Sequence, residues 1–357
     1  MSRVRAFTIH AARLPMAEPH KTSSAIINVC PVVTVSVLTD EGVRGDGIIF
    51  TYADVFLKAV HTLATTIAPM LEGQELNPTA NTDTLHDRFK LLGTQGMMGM
   101  VLSGFDMALW DAKARAEGKA LSSLLGGANQ PVIPYANVGF DGVKGSAEGA
   151  EKFATSGFKA VKAKIGYETV KDDLAVIRAM RKAVGPNLEL MVDYNQSLSV
   201  EEARTRLLAL ESEGLAWVEE PILSHDFKNY AALQKETTTP LQAGENWWGP
   251  ADFQTAFDLG ATGLIMPDAQ KCGGVTGWMR IAKIAEENNA KVSSHLWPEL
   301  SAQLLSITPT AHWLEYADWF NPVIREPLKI ENGIAKIDHV IGTGVELNDE
   351  ALARYAA

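Results

Sequence analysis

The chain has 357 residues, 46% of them hydrophobic and 21% charged, with 29 Gly and 16 Pro, which excludes a disordered, collagen-like or disulfide-built protein. Its 32 basic and 43 acidic side chains leave a formal charge of −11, which argues against a nucleic-acid partner, because such partners are met by a basic face. Two cysteines, Cys30 and Cys272, have no zinc-ligand spacing, the first 25 residues hold no signal-peptide core, and no apolar run nears the roughly 18–20 residues of a membrane span.

A cytoplasmic enzyme-sized chain with no membrane partner is the expectation, and at roughly 100–200 residues per domain its length predicts two domains. Residues 31–38 are rich in β-branched side chains and are broken by Thr39-Asp40-Glu41-Gly42, so they predict a strand, with a returning strand over 43–50. Apolar residues at helical spacing predict helices over 54–69 and 98–117, the second of them buried. The first 125 residues therefore read as an α+β domain.

Past residue 130 short apolar runs alternate with amphipathic stretches. The runs are 132–136, 158–165, 188–193, 215–219, 241–245, 263–268, 291–295 and 311–315, and helices are predicted between them at 169–184, 200–212 and 275–288. Strands alternating with helices imply right-handed βαβ units, and eight of them imply a closed parallel barrel over 126–320. A doubly wound sheet is the alternative, but no Gly-x-Gly-x-x-Gly follows any run, and Gly-x-Ser-x-Gly is absent too. The tail after Asn321 is expected to form short strands and turns that complete the first domain over about 321–357.

What ends the runs carries the chemistry. Lys162 and Lys164, Asp193, Glu219, Glu245, Asp268, His295 and Glu315 stand at or near their C-terminal ends, from Lys164 onward at separations of 29, 26, 26, 23, 27 and 20 residues. In a barrel those ends converge on one mouth. A single carboxylate ending a strand is usually a helix cap or an ion-pair partner, but seven successive runs ending in ionisable groups are not explained that way.

Asp193, Glu219 and Glu245, on consecutive strands, would raise each other's pKa without a cation. An all-oxygen set suits a hard divalent ion, Mg2+ first and Mn2+ second. Glu220 is expected to turn away by strand alternation and be structural. Lys162 and Lys164 share one strand face, where mutual repulsion would leave one neutral as a base and one charged for a substrate carboxylate. Asp268 can orient His295 as a second base, and a protonated Glu315 could donate to a developing oxyanion. This set suits removal of a proton next to a carboxylate in a small carboxylic acid.

At these residues the sequence resembles the enolase superfamily, in its mandelate racemase subgroup. The likeness is carried by Ala160-Val161-Lys162-Ala163-Lys164, Met191-Val192-Asp193-Tyr194-Asn195-Gln196, Trp217-Val218-Glu219-Glu220-Pro221, Gly244-Glu245-Asn246, Met266-Pro267-Asp268, Ser293-Ser294-His295-Leu296 and, in the first domain, Gly104-Phe105-Asp106-Met107-Ala108-Leu109-Trp110-Asp111. The resemblance implies a modified TIM barrel, (β/α)7β, with an N-terminal α+β capping domain. It also implies Asp193, Glu219 and Glu245 on Mg2+, Lys164 and the Asp268–His295 dyad as opposed bases, Glu315 as acid, and Lys162 at the substrate carboxylate. Asn195 resembles a polar residue lining the site, and a homo-oligomer, octamer or dimer, is implied as well.

Departures fall where substrate is chosen: Asn137 replaces a serine, His20 an apolar loop residue, and Ala317 a leucine. Phe50, Tyr52 and Leu296 supply apolar wall. The resemblance implies racemisation of a 2-hydroxy acid, with mandelate as the first substrate to try. Dehydration of an acid sugar is the alternative, and a metal-stabilised binding protein without catalysis is the reading from another class.

Overall fold

The computed structural model describes residues 2–22, 26–127, 130–337 and 340–357. Three antiparallel strands, β1 (Val4–Lys21), β2 (Ile26–Thr39) and β3 (Arg44–Phe50), form a sheet in that order. β2 and β3 cover the predicted runs. β1 is additional: it is an edge strand whose Arg5, His10 and Arg13 lie outside, so its mixed charge hid it. Helices α1 (Leu57–Ile67), α2 (Pro78–Phe89) and α3 (Gly96–Ala116) follow. α2 was not predicted, although its start carries a cap signal: Asn77 accepts from Ala80 N, and proline occupies the first helical position.

α3 is buried along most of its length because the cap sheet covers one side and the barrel the other. Its approach to β3 requires glycine. A Cβ on Gly45 would stand 2.2 Å from Ala112 N, and one on Gly47 would stand 2.5 Å from Gly104 O.

After the short α4 (Leu121–Leu124) the chain alternates through β4 (Pro134–Val138), α5 (Gly142–Thr155), β5 (Ala160–Lys164), α6 (Val170–Val184), β6 (Glu189–Asp193), α7 (Val200–Leu210), β7 (Trp217–Glu219) and α8 (Phe227–Glu236). It continues through β8 (Leu241–Ala243), α9 (Gly249–Leu259), β9 (Leu264–Ile265), α10 (Gly274–Glu287), β10 (Lys291–Val292), α11 (Pro298–Leu305) and β11 (Leu314–Tyr316). All eight strands pair in parallel in the order β10-β9-β8-β7-β6-β5-β4-β11.

The ring closes between β10 and β11 through a parallel bridge from Val292 to Ala311 and the bonds His312 N to Val292 O (2.7 Å) and Ser294 N to Trp313 O (2.9 Å). This is the (β/α)7β barrel, and the doubly wound alternative falls with its closure. Local chemistry supports each unit. In α6, for example, Thr169 and Asp172 cap each other reciprocally at the start, and Gly185 takes φ 77° at the end.

The tail forms β12 (Lys329–Glu331), β13 (Ile334–Lys336) and a helix beyond the expected strands and turns, α12 (Asp349–Arg354), started by Asn348. It returns to the first sheet: Asp46 Oδ2 accepts from Leu347 N (3.1 Å), and Arg44 pairs with Asp349 (2.8 Å). Between cap and barrel, buried Asp106 on α3 accepts from Thr82 Oγ1 (2.7 Å) and from Thr276 N (3.1 Å) and Oγ1, while Trp110 Nε1 donates to Thr276 Oγ1 (2.9 Å). Among the described residues no helix is long and apolar enough to cross a membrane.

Candidate active site

Strand alternation aims Lys162 and Lys164, Asp193 and Glu219 inward at the mouth, each in register with its neighbour: Lys164 with Asp193, and Asp193 with Glu219. Glu245 lies two residues beyond β8. Asp193, Glu219 and Glu245 each offer an oxygen within 4.8 Å of the others, and all three are buried. Asn195 fixes Asp193 through its N–H (2.7 Å) and Nδ2 (3.0 Å), and Trp217 Nε1 donates to Glu219 Oε2 (3.0 Å). Glu245 Oε2 is buried without a hydrogen-bond partner.

Burial and the neighbouring carboxylates push Glu219 well above the usual carboxylate range despite Lys162. A divalent cation would relieve that cost, and an all-oxygen donor set in which Glu245 Oε2 accepts no hydrogen bond and faces only the His295 ring at 3.2 Å fits one.

Lys162 Nζ is fully buried and lies 2.7 Å from Glu219 Oε1, 3.0 Å from Glu315 Oε1 and 3.2 Å from the Tyr135 hydroxyl. Lys164 Nζ donates to Asp193 Oδ2. Mutual repulsion of the lysines does not decide their charge, which corrects the expectation. Burial pulls both down, yet Glu219 and Glu315 leave Lys162, and Asp193 leaves Lys164, raised above the ordinary lysine value.

Glu315 is corrected in the same sense. Burial favours its proton, but Lys162, His295, Lys164 and the N–H of Leu296 (2.8 Å) outweigh burial and hold it ionised, far below the usual range.

His295 Nδ1 sits 2.7 Å from Asp268 Oδ2, joined by a parallel bridge between the two residues, and its Nε2 stands 3.2 Å from Glu245 Oε2. Asp268 is itself held by the N–H groups of Gln270 (2.7 Å) and Lys271 (3.1 Å) and by Trp297 Nε1 (3.1 Å). Burial lowers the His295 pKa, but Glu245, Glu315 and Asp268 leave it raised. Lys164 thus meets the triad at Asp193 and His295 meets it at Glu245, on opposite flanks.

The residues expected to choose substrate gather here too. Asn137 is in register with Lys162; its Oδ1 and that of Asn195 are buried without partners. His20, near the end of β1, has its ring centre 5.0 Å from that of Trp319 at a 59° tilt, and burial, then the Lys164 charge, push its pKa down to about 3, so it is neutral at pH 7. Phe50 is fully buried, between the rings of Tyr52 (4.6 Å) and Trp319 (5.6 Å). Leu296 is buried beside Glu315.

Sequence reasoning missed Tyr135, Trp319, Gln196, Asn246 and Lys271. Tyr135 is two residues before Asn137 on one strand, so alternation could have found it. Lys271 carried no such signal. Its buried ammonium donates to Asn246 Oδ1 (2.6 Å) and lies 4.7 Å from the centre of the Tyr52 ring.

Glu220 does not simply turn away. β7 ends at Glu219, Glu220 adopts φ 35°, and its carboxyl meets loop residues at the mouth, which corrects the alternation argument. Burial, Glu245 and Asp193 raise its pKa to about 8. Six of the eight non-glycine residues with positive φ among those described are Tyr52, Asn195, Gln196, Glu220, Leu296 and Trp297, all in segments bordering this site. Such strain persists only where the surroundings over-determine the backbone.

Residues 4–126 match the N-terminal domain family of mandelate racemase / muconate lactonizing enzyme, and residues 145–351 match the enolase C-terminal domain-like family. The chain belongs to the enolase superfamily. A crystal structure of an enolase from Bradyrhizobium complexed with magnesium and mandelic acid is 36% identical, with a TM-score of 0.95 over 100% of this chain and 99% of that one. D-galactarolactone cycloisomerase of Agrobacterium fabrum is 33% identical over 76% of this chain and 78% of its own length. L-talarate/galactarate dehydratase of Salmonella typhimurium is 26% identical over 98% of this chain and 90% of its own.

Proposed function

We propose that the protein is a Mg2+-dependent enzyme that transfers the α-proton of a 2-hydroxycarboxylate, and that it racemises an aryl 2-hydroxy acid of the mandelate type. The observation that carries this reading is the pair of bases, Lys164 and His295, on opposite flanks of one carboxylate triad. Racemisation needs a proton taken from one face and returned to the other, whereas a single base suffices for a one-way elimination.

Asp193, Glu219 and Glu245 would hold Mg2+, which when bound offsets their charge and polarises the substrate carboxylate. With Asp193 and Glu245 engaged by the ion, the charges that raise Lys164 and His295 are offset, so Lys164 would remove or return the proton on one face and His295 on the other, with Asp268 fixing the His295 tautomer. Lys162 donates to the substrate carboxylate. The arriving carboxylate adds negative charge beside Glu315, raises its pKa, and lets it take up a proton and donate to the enediolate oxygen. Asn137 and Asn195 bring unpartnered buried amide oxygens toward a substrate hydroxyl. Tyr52, Trp319 and Leu296 enclose the aryl group, in keeping with the mandelic acid held by the Bradyrhizobium relative.

A specific observation favours a second reading, dehydration of an acid sugar. Neutral His20 and buried Lys271 put polar groups around the aromatic wall, and a similar chain is a talarate/galactarate dehydratase. Incubating the Mg2+-loaded protein in D2O with mandelate, other 2-hydroxy acids and acid sugars separates the two. Deuterium at the α-carbon without loss of water is expected; a 2-keto-3-deoxy product would favour dehydration, and no exchange with any acid would overturn both.

A further inference from the structure

We propose that Glu220 is a positioning residue for the cation site, tying together the loops that leave three successive ligand-bearing strands. The proposal rests on Asp193, Glu219 and Glu245 holding Mg2+. Glu220 Oε2 accepts from Gln196 Nε2 (2.9 Å) and from Asn246 Nδ2 (2.7 Å). The same Asn246 nitrogen reaches Glu245 Oε1 (3.1 Å), so one carboxyl group steers a ligand one strand away.

On the other side, Gln196 N donates to the Glu220 carbonyl (2.7 Å), and Gln196 follows Asn195, whose N–H and amide grip both oxygens of Asp193. Glu220 N in turn donates to Gln242 O (3.1 Å), which locks the end of β7 to β8. Lys271 Nζ holds the far side of Asn246 at Oδ1, and Ser224 N holds Gln196 Oε1 (2.9 Å). Glu220 thus links the Asp193 loop, the Glu219 strand and the Glu245 loop through one fully buried group.

The backbone carries the cost of this arrangement: Asn195, Gln196 and Glu220 all adopt left-handed φ, at 46°, 63° and 35°. Carboxylate ligands with free rotors must be ordered when the ion arrives. Ligands held beforehand bind it tighter, and loss of such outer partners typically weakens metal affinity about 10–100-fold. A residue that only filled space would affect folding and leave affinity alone.

The test is titration calorimetry of Mg2+ alone into the metal-free full chain, with thermal unfolding of each protein measured before metal is added. Glu220→Ala is expected to weaken Mg2+ binding about 10–100-fold. Glu220→Gln keeps an oxygen that can accept from Gln196 and Asn246, and should bind close to wild type. Asn246→Ala removes the arm from Glu220 to Glu245 together with the Lys271 contact, leaves the Gln196 arm in place, and should weaken binding in the same direction; it carries the test if Glu220→Ala fails to fold. Wild-type affinity in Glu220→Ala or Asn246→Ala, whether or not the melting temperature falls, would overturn the proposal. A wild-type chain that binds no Mg2+ would instead overturn the cation site beneath it.

Discussion

Two layers of the same barrel, one side-chain repeat apart, have opposite chemistry. In the lower layer Tyr135, Ala160, Met191 and Trp217 pack together, with Tyr135 and Trp217 edge to face at 5.5 Å. Two residues further along the same four strands stand Asn137, Lys162, Asp193 and Glu219. The lower layer removes apolar surface from water and gives the strands a rigid base; the upper one concentrates charge that would be unfavourable in such a dry place without partners. The layers are also joined, because Trp217 Nε1 donates to Glu219 and the Tyr135 hydroxyl accepts from Lys162. The polar tips of packing side chains thus orient the groups proposed to act on substrate.

This contrast predicts that lesions in the upper layer damage chemistry and those in the lower layer damage stability. The largest effect should come from Lys164→Ala or His295→Asn, each lowering racemisation about 10²–10⁴-fold. Each variant should still exchange the α-proton of one enantiomer with D2O, and a variant that exchanged neither would break the two-base reading.

Met191→Ala, one layer down, should cost about 2–5 kcal/mol in urea unfolding, with Mg2+ affinity unchanged in calorimetry. Trp217→Ala is the variant that should breach the division, losing both stability and affinity through Glu219.

Adding EDTA to protein held at 100 times the Mg2+ dissociation constant should remove about 2.7 kcal/mol of stability, read as a lower melting temperature that excess Mg2+ restores.

The seam between cap and barrel supplies the smallest effect. Burial raises the Asp106 pKa to about 6 against the hydrogen bonds of Thr276 and Thr82. Its folded-state pKa therefore lies above the ordinary 3.8, so its contribution is fully present below that value and is lost as pH rises through about 6. Asp106→Asn should gain on wild type by about 2–4 °C in melting temperature between pH 4 and pH 6, and the gap should stay level above that.

Much of this was legible before folding. Eight apolar runs became eight parallel strands, and the ionisable residues ending them met at one mouth, because a closed barrel leaves strand ends nowhere else to go. β1 escaped because its alternation, Phe7-Thr8-Ile9-His10-Ala11, changes phase at Ala12 and is overlaid by charge at Arg5, His10 and Arg13. The charge states of Lys162, Lys164 and Glu315 were misjudged for a related reason. Spacing placed the lysines and the carboxylates at one mouth but not which of them pair, and the partners that hold these charges arrive from β6, β7 and β11. Glu220 likewise could not be placed by alternation, because its left-handed backbone is imposed by loops far away in sequence.

The order of residues by itself determined the repeating units, the register of charge on each strand and hence the candidate ligands and bases, since these depend on period and spacing alone. Only the closed ring decided which charges neutralise one another, which stay orphaned, and that Trp319 and Lys271 flank the same pair of rings, Phe50 and Tyr52. Coulombic and hydrogen-bond energies fall off over a few ångströms in space and take no account of separation along the chain.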